Sequence, residues 1–179
     1  NFDPKNQGFY GVGPVANLSQ GLPGSSVWCF GEDPSGQYLF TGTDNALSRY
    51  NRKEGVFQHF YRSKSDKQGT ERKETSIFSL YVIDPNRLLV GCVDGLYELT
   101  IRSAKDYTFK KLFAGTDTKT VFSWIYSISY WKEQKFFLGT RGGVVLYDLG
   151  TEVHSFFEND NKNRKGTIVA GACRIVYKD

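Results

Sequence analysis

The sequence predicts an all-β chain built from a four-stranded unit used several times, and three observations carry that prediction. A cluster of glycine, threonine and acid or amide residues recurs as Phe40-Thr-Gly-Thr-Asp-Asn-Ala-Leu47, Leu89-Val-Gly-Cys-Val-Asp-Gly-Leu96 and Phe137-Leu-Gly-Thr-Arg-Gly-Gly-Val144. Gly42 and Gly91 lie 49 positions apart, and Gly91 and Gly139 lie 48 apart. A fixed period in this range marks one supersecondary unit repeated along the chain. Aromatic residues are plentiful, with 11 Tyr, 14 Phe and 3 Trp, and long helical periodicity is missing, as strands require. Short strands joined by tight turns at this spacing make each unit one blade of a β-propeller.

The opening strand of a unit is expected at Val27–Asp33, Ile77–Asp84, Ile125–Trp131 and Cys173–Asp179. Three of these four end at an Asp, and Pro34-Ser-Gly36 or Pro85-Asn86 then turns the chain. Proline presets one backbone dihedral there, while glycine or asparagine tolerates positive φ. Second strands follow at 38–41, 87–90 and 135–138, and the glycine-containing segment is read as the next turn. Third strands run through 46–50, 96–99 and 144–147, and aromatic-rich fourth strands through 56–61, 107–113 and 153–157.

The start of the chain joins the scheme, because Phe2-Asp-Pro-Lys-Asn-Gln-Gly-Phe9 aligns with Tyr50-Asn-Arg-Lys-Glu-Gly-Val-Phe57. The expected organisation is one partial propeller: the end of a preceding blade at 1–26, whole blades at 27–75, 76–122 and 124–171, and the first strand of a following blade at 172–179. Blades pack through apolar faces, and each large apolar side chain fully buried stabilises by about 1.5–3 kcal/mol. An open row of three blades would forfeit on the order of 10 kcal/mol at its two ends, against a folding stability of about 5–15 kcal/mol. The open ends are therefore expected to be covered, by remaining blades of a longer parent chain or by another copy.

Composition narrows the function classes. The chain has 179 residues, 39% apolar and 23% charged, and no apolar run approaching the roughly 18 residues of a membrane span, so direct membrane insertion is not expected. No leader and no initial Met are present, which reads as a piece of something larger or already processed. Net charge is +4, much of it in Arg62–Lys73 and Lys162–Lys165. Those stretches lack the interleaved aromatics that nucleic-acid faces use, so they read as solvated loops and no nucleic-acid partner is expected. Cys29, Cys92 and Cys173 form no C-x-x-C pair and read as small buried residues.

Gly21-Leu-Pro-Gly-Ser-Ser-Val27, then Glu32-Asp33-Pro-Ser-Gly36, then Gly42-Thr43-Asp-Asn-Ala-Leu47 and Arg49-Tyr50 resemble the two-component regulator propeller repeat. In that repeat a Gly-Leu pair opens onto a Val-containing first strand, followed by an Asp-x-x-Gly turn, a Gly-Thr-x-x-Gly-Leu turn and an Arg-Tyr. The likeness covers most of the chain and is strongest in the first whole blade. It departs at Asn45-Ala46, where the repeat prefers glycine, at Cys92, where it prefers threonine, and at Tyr38-Leu39, where it often has a tryptophan. The resemblance implies the periplasmic sensor region of Bacteroides-type hybrid two-component sensor histidine kinase/response regulators. There, propellers precede a membrane span, a kinase, a receiver and a DNA-binding domain, and the ligands are products of polysaccharide breakdown. On that implication this segment is a non-catalytic extracytoplasmic sensor module for polysaccharide-derived oligosaccharides, periplasmic, needing no cofactor. A protein-interaction propeller is the alternative, lowered by the missing Trp-Asp blade endings. Part of a propeller lyase or glycosidase is a further one, for which no sequence signature speaks.

Several motifs fail in context. Gly11-Val-Gly-Pro-Val-Ala16 has a dinucleotide spacing, but Pro14 interrupts it and no helix follows to present N–H groups to phosphate. Asn159–Gly166 alternates oxygen side chains like a calcium loop, yet lacks the sixth-position glycine and a closing Glu, and Lys162, Arg164 and Lys165 would repel a cation. His59 and His154, in matching outer strands among phenylalanines, have no nucleophile elbow beside them and read as packing or surface residues. No catalytic or metal-binding residue is expected. If a ligand binds, propeller geometry places it at the turns between second and third strands and at the connectors between blades. Those carry Asp44, Asn45, Asp94 and Arg141 as hydrogen-bonding groups and Trp124 as a stacking surface, the mixture a carbohydrate uses. Asp44, Asn45 and Asp94 are equally good turn residues for local reasons, and Trp124 equally suits blade packing.

Overall fold

The computed structural model describes residues 21–62, 76–113 and 123–158. Their regular structure is entirely β. Three four-stranded antiparallel sheets follow one another, each with its strands in chain order. Blade one contains β1 Val27–Glu32, β2 Tyr38–Thr43, β3 Leu47–Asn51 and β4 Val56–Phe60. Blade two contains β5 Ile77–Asp84, β6 Arg87–Cys92, β7 Gly95–Ile101 and β8 Tyr107–Phe113. Blade three contains β9 Ile125–Lys132, β10 Lys135–Thr140, β11 Gly143–Asp148 and β12 His154–Glu158. The expected blade ends at 1–20 and 172–179, Gly11–Ala16, the connector 63–75, Asn159–Gly166 and Cys173 lie outside the described residues.

The blades stack face to face, with β5 seated against β1 and β2, and β9 against β5 and β6. This is a propeller fragment with its opening strands innermost. Two cores lie between the sheets. The first joins Phe40, Leu47 and Phe60 of blade one to Ile77, Leu88, Val90 and Leu99 of blade two. The second joins Leu89, Leu96 and Phe113 of blade two to Ile125, Phe136, Leu138 and Tyr147 of blade three. In β6, therefore, Leu88 and Val90 face one neighbour while Leu89 faces the other. A strand covered on both sides reads as a continuous apolar run, as Leu88-Leu89-Val90 does.

One expectation needs correction. The sequence places Gly42, Gly91 and Gly139 in turns, but they lie inside the second strands, which continue through Thr43, Cys92 and Thr140. The reason is tertiary. Gly42 pairs with Cys29 and Gly91 with Ser79 in the neighbouring inner strand. From those strands the Cys29 thiol reaches Ile77 O at 3.7 Å, and the Ser79 hydroxyl donates to Ile125 O at 2.9 Å. A Cβ on Gly42 would sit 2.5 Å from Cys29 Sγ and 3.0 Å from Ile77 O; on Gly91 it would sit 2.2 Å from Ser79 Oγ and 2.7 Å from Ile125 O. At Gly42 and Gly91 the glycine leaves room for Cys29 or Ser79 and for the Ile77 or Ile125 of the next blade, and the chain does not bend there.

The turn chemistry is local. Asp33 takes N–H donations from Ser35 and Tyr38 on its carboxylate and a hydroxyl donation from Ser35. Burial opposes its charge, but these donors prevail and hold the carboxyl below its ordinary range. The β9–β10 turn has neither proline nor glycine. It places Glu133 and Gln134 at φ 47° and 63°, the left-handed pair that a two-residue hairpin with right-twisted strands demands.

Candidate functional site

The start of each inner strand lies beside the end of the second strand, with Val27 opposite Thr43, Ile77 opposite Cys92 and Ile125 opposite Thr140. The connectors entering the blades and the turns between second and third strands thus share one rim. All five ligand candidates, Asp44, Asn45, Asp94, Trp124 and Arg141, are on it. They form three separate clusters, one per blade, and each cluster ties a turn to the connector that enters the same blade.

In blade one Thr43 Oγ1 donates to Ala46 O at 3.0 Å and accepts from the N–H groups of Asn45 and Ala46. This closes the turn and aims Asn45 Nδ2 at Pro23 O, 3.0 Å away, while Ser25 Oγ donates to Asp44 Oδ2 at 3.5 Å. Blade three repeats the device, with Thr140 Oγ1 donating to Gly143 O at 2.9 Å. That presents Arg141 over the Trp124 ring, the guanidinium 5.6 Å from the ring centroid. Such a cation–π contact contributes about 0.5–1 kcal/mol at an exposed site.

Blade two has Cys92 in the threonine position and is held differently. Asp94 forms an ion pair with Arg62 and accepts the Tyr97 hydroxyl proton at 2.6 Å, with Lys111 Nζ 3.6 Å away. Arg62 also lies over the Tyr97 ring at 4.6 Å. Burial works against the Asp94 charge, but the Tyr97 and Arg62 hydrogen bonds and the two cations hold its carboxyl below the ordinary range. Burial in turn pushes the Tyr97 phenol upward, with Asp94 adding to the shift. Asp94 is thereby committed to joining the end of blade one to the turn of blade two. Burial likewise pushes the Cys29 and Cys92 thiols up to about 12, so neither supplies a thiolate nucleophile near neutral pH.

The sequence reasoning passed over a row of rings on the same rim. Trp28 meets Phe78 edge to face at 5.5 Å, Phe78 stacks on Trp124 at 5.7 Å, and Tyr126 contacts both Phe78 and Trp124. Trp28, Phe78 and Tyr126 are each the second residue of an inner strand, so the signal was available in the repeat itself. Trp28 is 53% exposed, which leaves one end of the row open to a partner. Asp44 and Asn45 are tied to Ser25 and Pro23 of the connector, and the rim offers a row of rings with Arg141 over its Trp124 end. Those groups can bind hydroxyl-bearing planar or ring-shaped ligands by stacking and hydrogen bonding.

The two histidines sit on the outer strands β4 and β12. His59 Nδ1 is 2.8 Å from Ser48 Oγ, and His154 packs against Phe113 and Phe156 at 5.0 Å each. Among the described residues no group of three or more His, Cys, Asp or Glu side chains is arranged to hold a metal ion.

No protein-family model and no curated protein matches the sequence. Solved structures do resemble the fold. The extracellular domain of a hybrid two-component system from B. thetaiotaomicron superposes with a TM-score of 0.66 at 18% identity, covering 86% of this chain and 19% of that one. The extracellular domain of a second such system from the same organism gives 0.51 at 17% identity, covering 98% and 27%. U3-55K gives 0.53 at 15% identity, covering 79% and 40%. The chain thus spans about a fifth to two fifths of the length of these structures. At these identities the likeness establishes a shared architecture.

Proposed function

We propose that this chain is a non-catalytic, extracytoplasmic sensor module of a two-component signalling protein, and that its rim detects oligosaccharides released from polysaccharides. The observation that carries the reading is the Trp28–Phe78–Trp124 row with Arg141 laid over its inner end. Sugars stack their C–H faces on such rings and present hydroxyls to flanking guanidinium, amide and carboxylate groups. The resemblance of the repeat and the architecture shared with extracellular domains of hybrid two-component systems both favour this context. In it the module does no chemistry. Ligand binding stabilises one arrangement of the sensor region over another, and a kinase across the membrane reads the difference in population.

A broad oligosaccharide panel tests this on the intact sensor region, read by intrinsic tryptophan fluorescence and calorimetry. A binding glycan should perturb tryptophan emission, and Trp28→Ala should weaken its affinity by about fivefold or more, the loss of one stacked ring at roughly 1–3 kcal/mol. Failure of every glycan, together with capture of a protein ligand instead, would overturn the proposal.

A further inference from the structure

We infer that the sugar taken by this rim is acidic, its carboxylate bound by Arg141 at the Trp124 end of the ring row. The inference rests on the oligosaccharide reading above and adds the charge class of the ligand. It starts from the arginines. Arg49 donates to Pro85 O, Asn86 and Gln58, while Arg52, Arg62, Arg87 and Arg102 pair with Glu32, Asp94, Glu98 and Asp106. Arg141 differs from all of these. It is exposed, and among the described residues its guanidinium engages the Trp124 ring and no carboxylate. A guanidinium carries five N–H donors in a rigid fork, and that fork matches the two oxygens of a carboxylate. Seating on the indole positions the cation without engaging an oxygen acceptor. The turn beneath it is pinned as well, since Thr140 Oγ1 donates to Gly143 O at 2.9 Å and accepts from the Gly142 N–H at 3.2 Å. A cation held in place before the ligand arrives lowers the ordering cost of binding.

The charges along the row favour an anion at this end and not at the other. In blade two Asp94 is flanked by Arg62 and by Lys111 Nζ at 3.6 Å, so that cluster carries one more cation than anion. Asp44, the rim acid of blade one, sits at the Trp28 end and is tied to Ser25. A sugar lying along the row crosses centroid steps of 5.5 and 5.7 Å. It would meet the Arg141 cation at Trp124 and a carboxylate at Trp28. The row thus selects a ligand with one carboxylate, at one end. A terminal uronate unit has that form, a sugar ring that stacks and a carboxylate on its edge.

Calorimetric titration of the intact sensor region with matched disaccharides and trisaccharides tests this. Each set holds a member with one terminal glucuronate or galacturonate, its neutral glucose or galactose counterpart, and the O-sulfated counterpart. At least one uronate member is expected to bind about tenfold or more tighter than its neutral counterpart, with a preference that shrinks as salt rises. Arg141→Gln should bring that ratio to about one, and Arg141→Lys should restore only part of it, because an ammonium lacks the fork. Thermal melts of both variants check that the fold persists, and the ratio in the parent needs no variant. Equal or tighter binding of the neutral members overturns this inference and leaves the oligosaccharide reading standing. An acidic preference that survives Arg141→Gln does the same. Tighter binding of the sulfated members than of the uronates overturns the assignment of a carboxylate. Absence of binding by every member, acidic and neutral, overturns both readings.

Discussion

Replacing Gly91 by alanine isolates the contact that sets the spacing between blades two and three. The added methyl would lie 2.2 Å from Ser79 Oγ, 2.7 Å from Ile125 O and 2.8 Å from Ile125 Cγ2. Ser79 could rotate away, but only by giving up its 2.9 Å hydrogen bond to Ile125 O. The carbonyl itself belongs to β9, so relieving the second clash means moving the inner strand of blade three off its seat. Overpacking of this kind costs about 1–3 kcal/mol, and losing the rung adds about 1 kcal/mol. Reduced entropy of the unfolded chain returns about 0.4–1 kcal/mol at a position without positive φ. The net loss is about 1–4 kcal/mol, or roughly 2–14 °C in Tm for a chain of this size. Urea titration followed by tryptophan fluorescence measures it directly. Gly150→Ala is the control, because its methyl would meet nothing nearer than 3.4 Å. Removing the side-chain half of the clash by Ser79→Ala should recover part, not all, of the loss. If Gly91→Ala and Gly150→Ala both stay within about 0.5 kcal/mol of the parent, the close inter-blade approach is wrong.

Two further outcomes follow from local chemistry. Asp33 and Asp94 both have carboxyls held below the ordinary value of 3.8, so their contributions are complete above that value and disappear as pH falls through the lower folded-state values. Stability should therefore drop as pH falls below about 3.8, and the double variant Asp33→Asn, Asp94→Asn should be less stable at pH 7 with a flatter acid limb; an unchanged slope in urea titrations on that limb would contradict the assignment. Gln134→Gly should stabilise by about 1 kcal/mol, because φ 63° costs a side-chain-bearing residue what glycine does not incur, and thermal unfolding would expose the error if Tm fell.

The repeat made most of the secondary structure legible. Strand type, the Asp33 and Asp84 turns and the aromatic fourth strands follow from residues within a few positions of one another, where turn chemistry and alternation act. The glycines were visible but misplaced. Their role depends on carbonyls of the next blade, such as Ile77 O and Ile125 O, which no local pattern reports. The same limit governs the rim. Sequence placed Asp44, Asn45, Asp94, Trp124 and Arg141 on one edge, because equivalent positions of a repeat recur at equivalent places. Only the stacking of blades decided that Asp94 would be taken up by Arg62 and that Trp28, Phe78 and Trp124 would meet in a row. Those contacts join residues 32–50 positions apart or turn on the fit between two sheets, so their partners are chosen by packing geometry rather than by neighbouring residues.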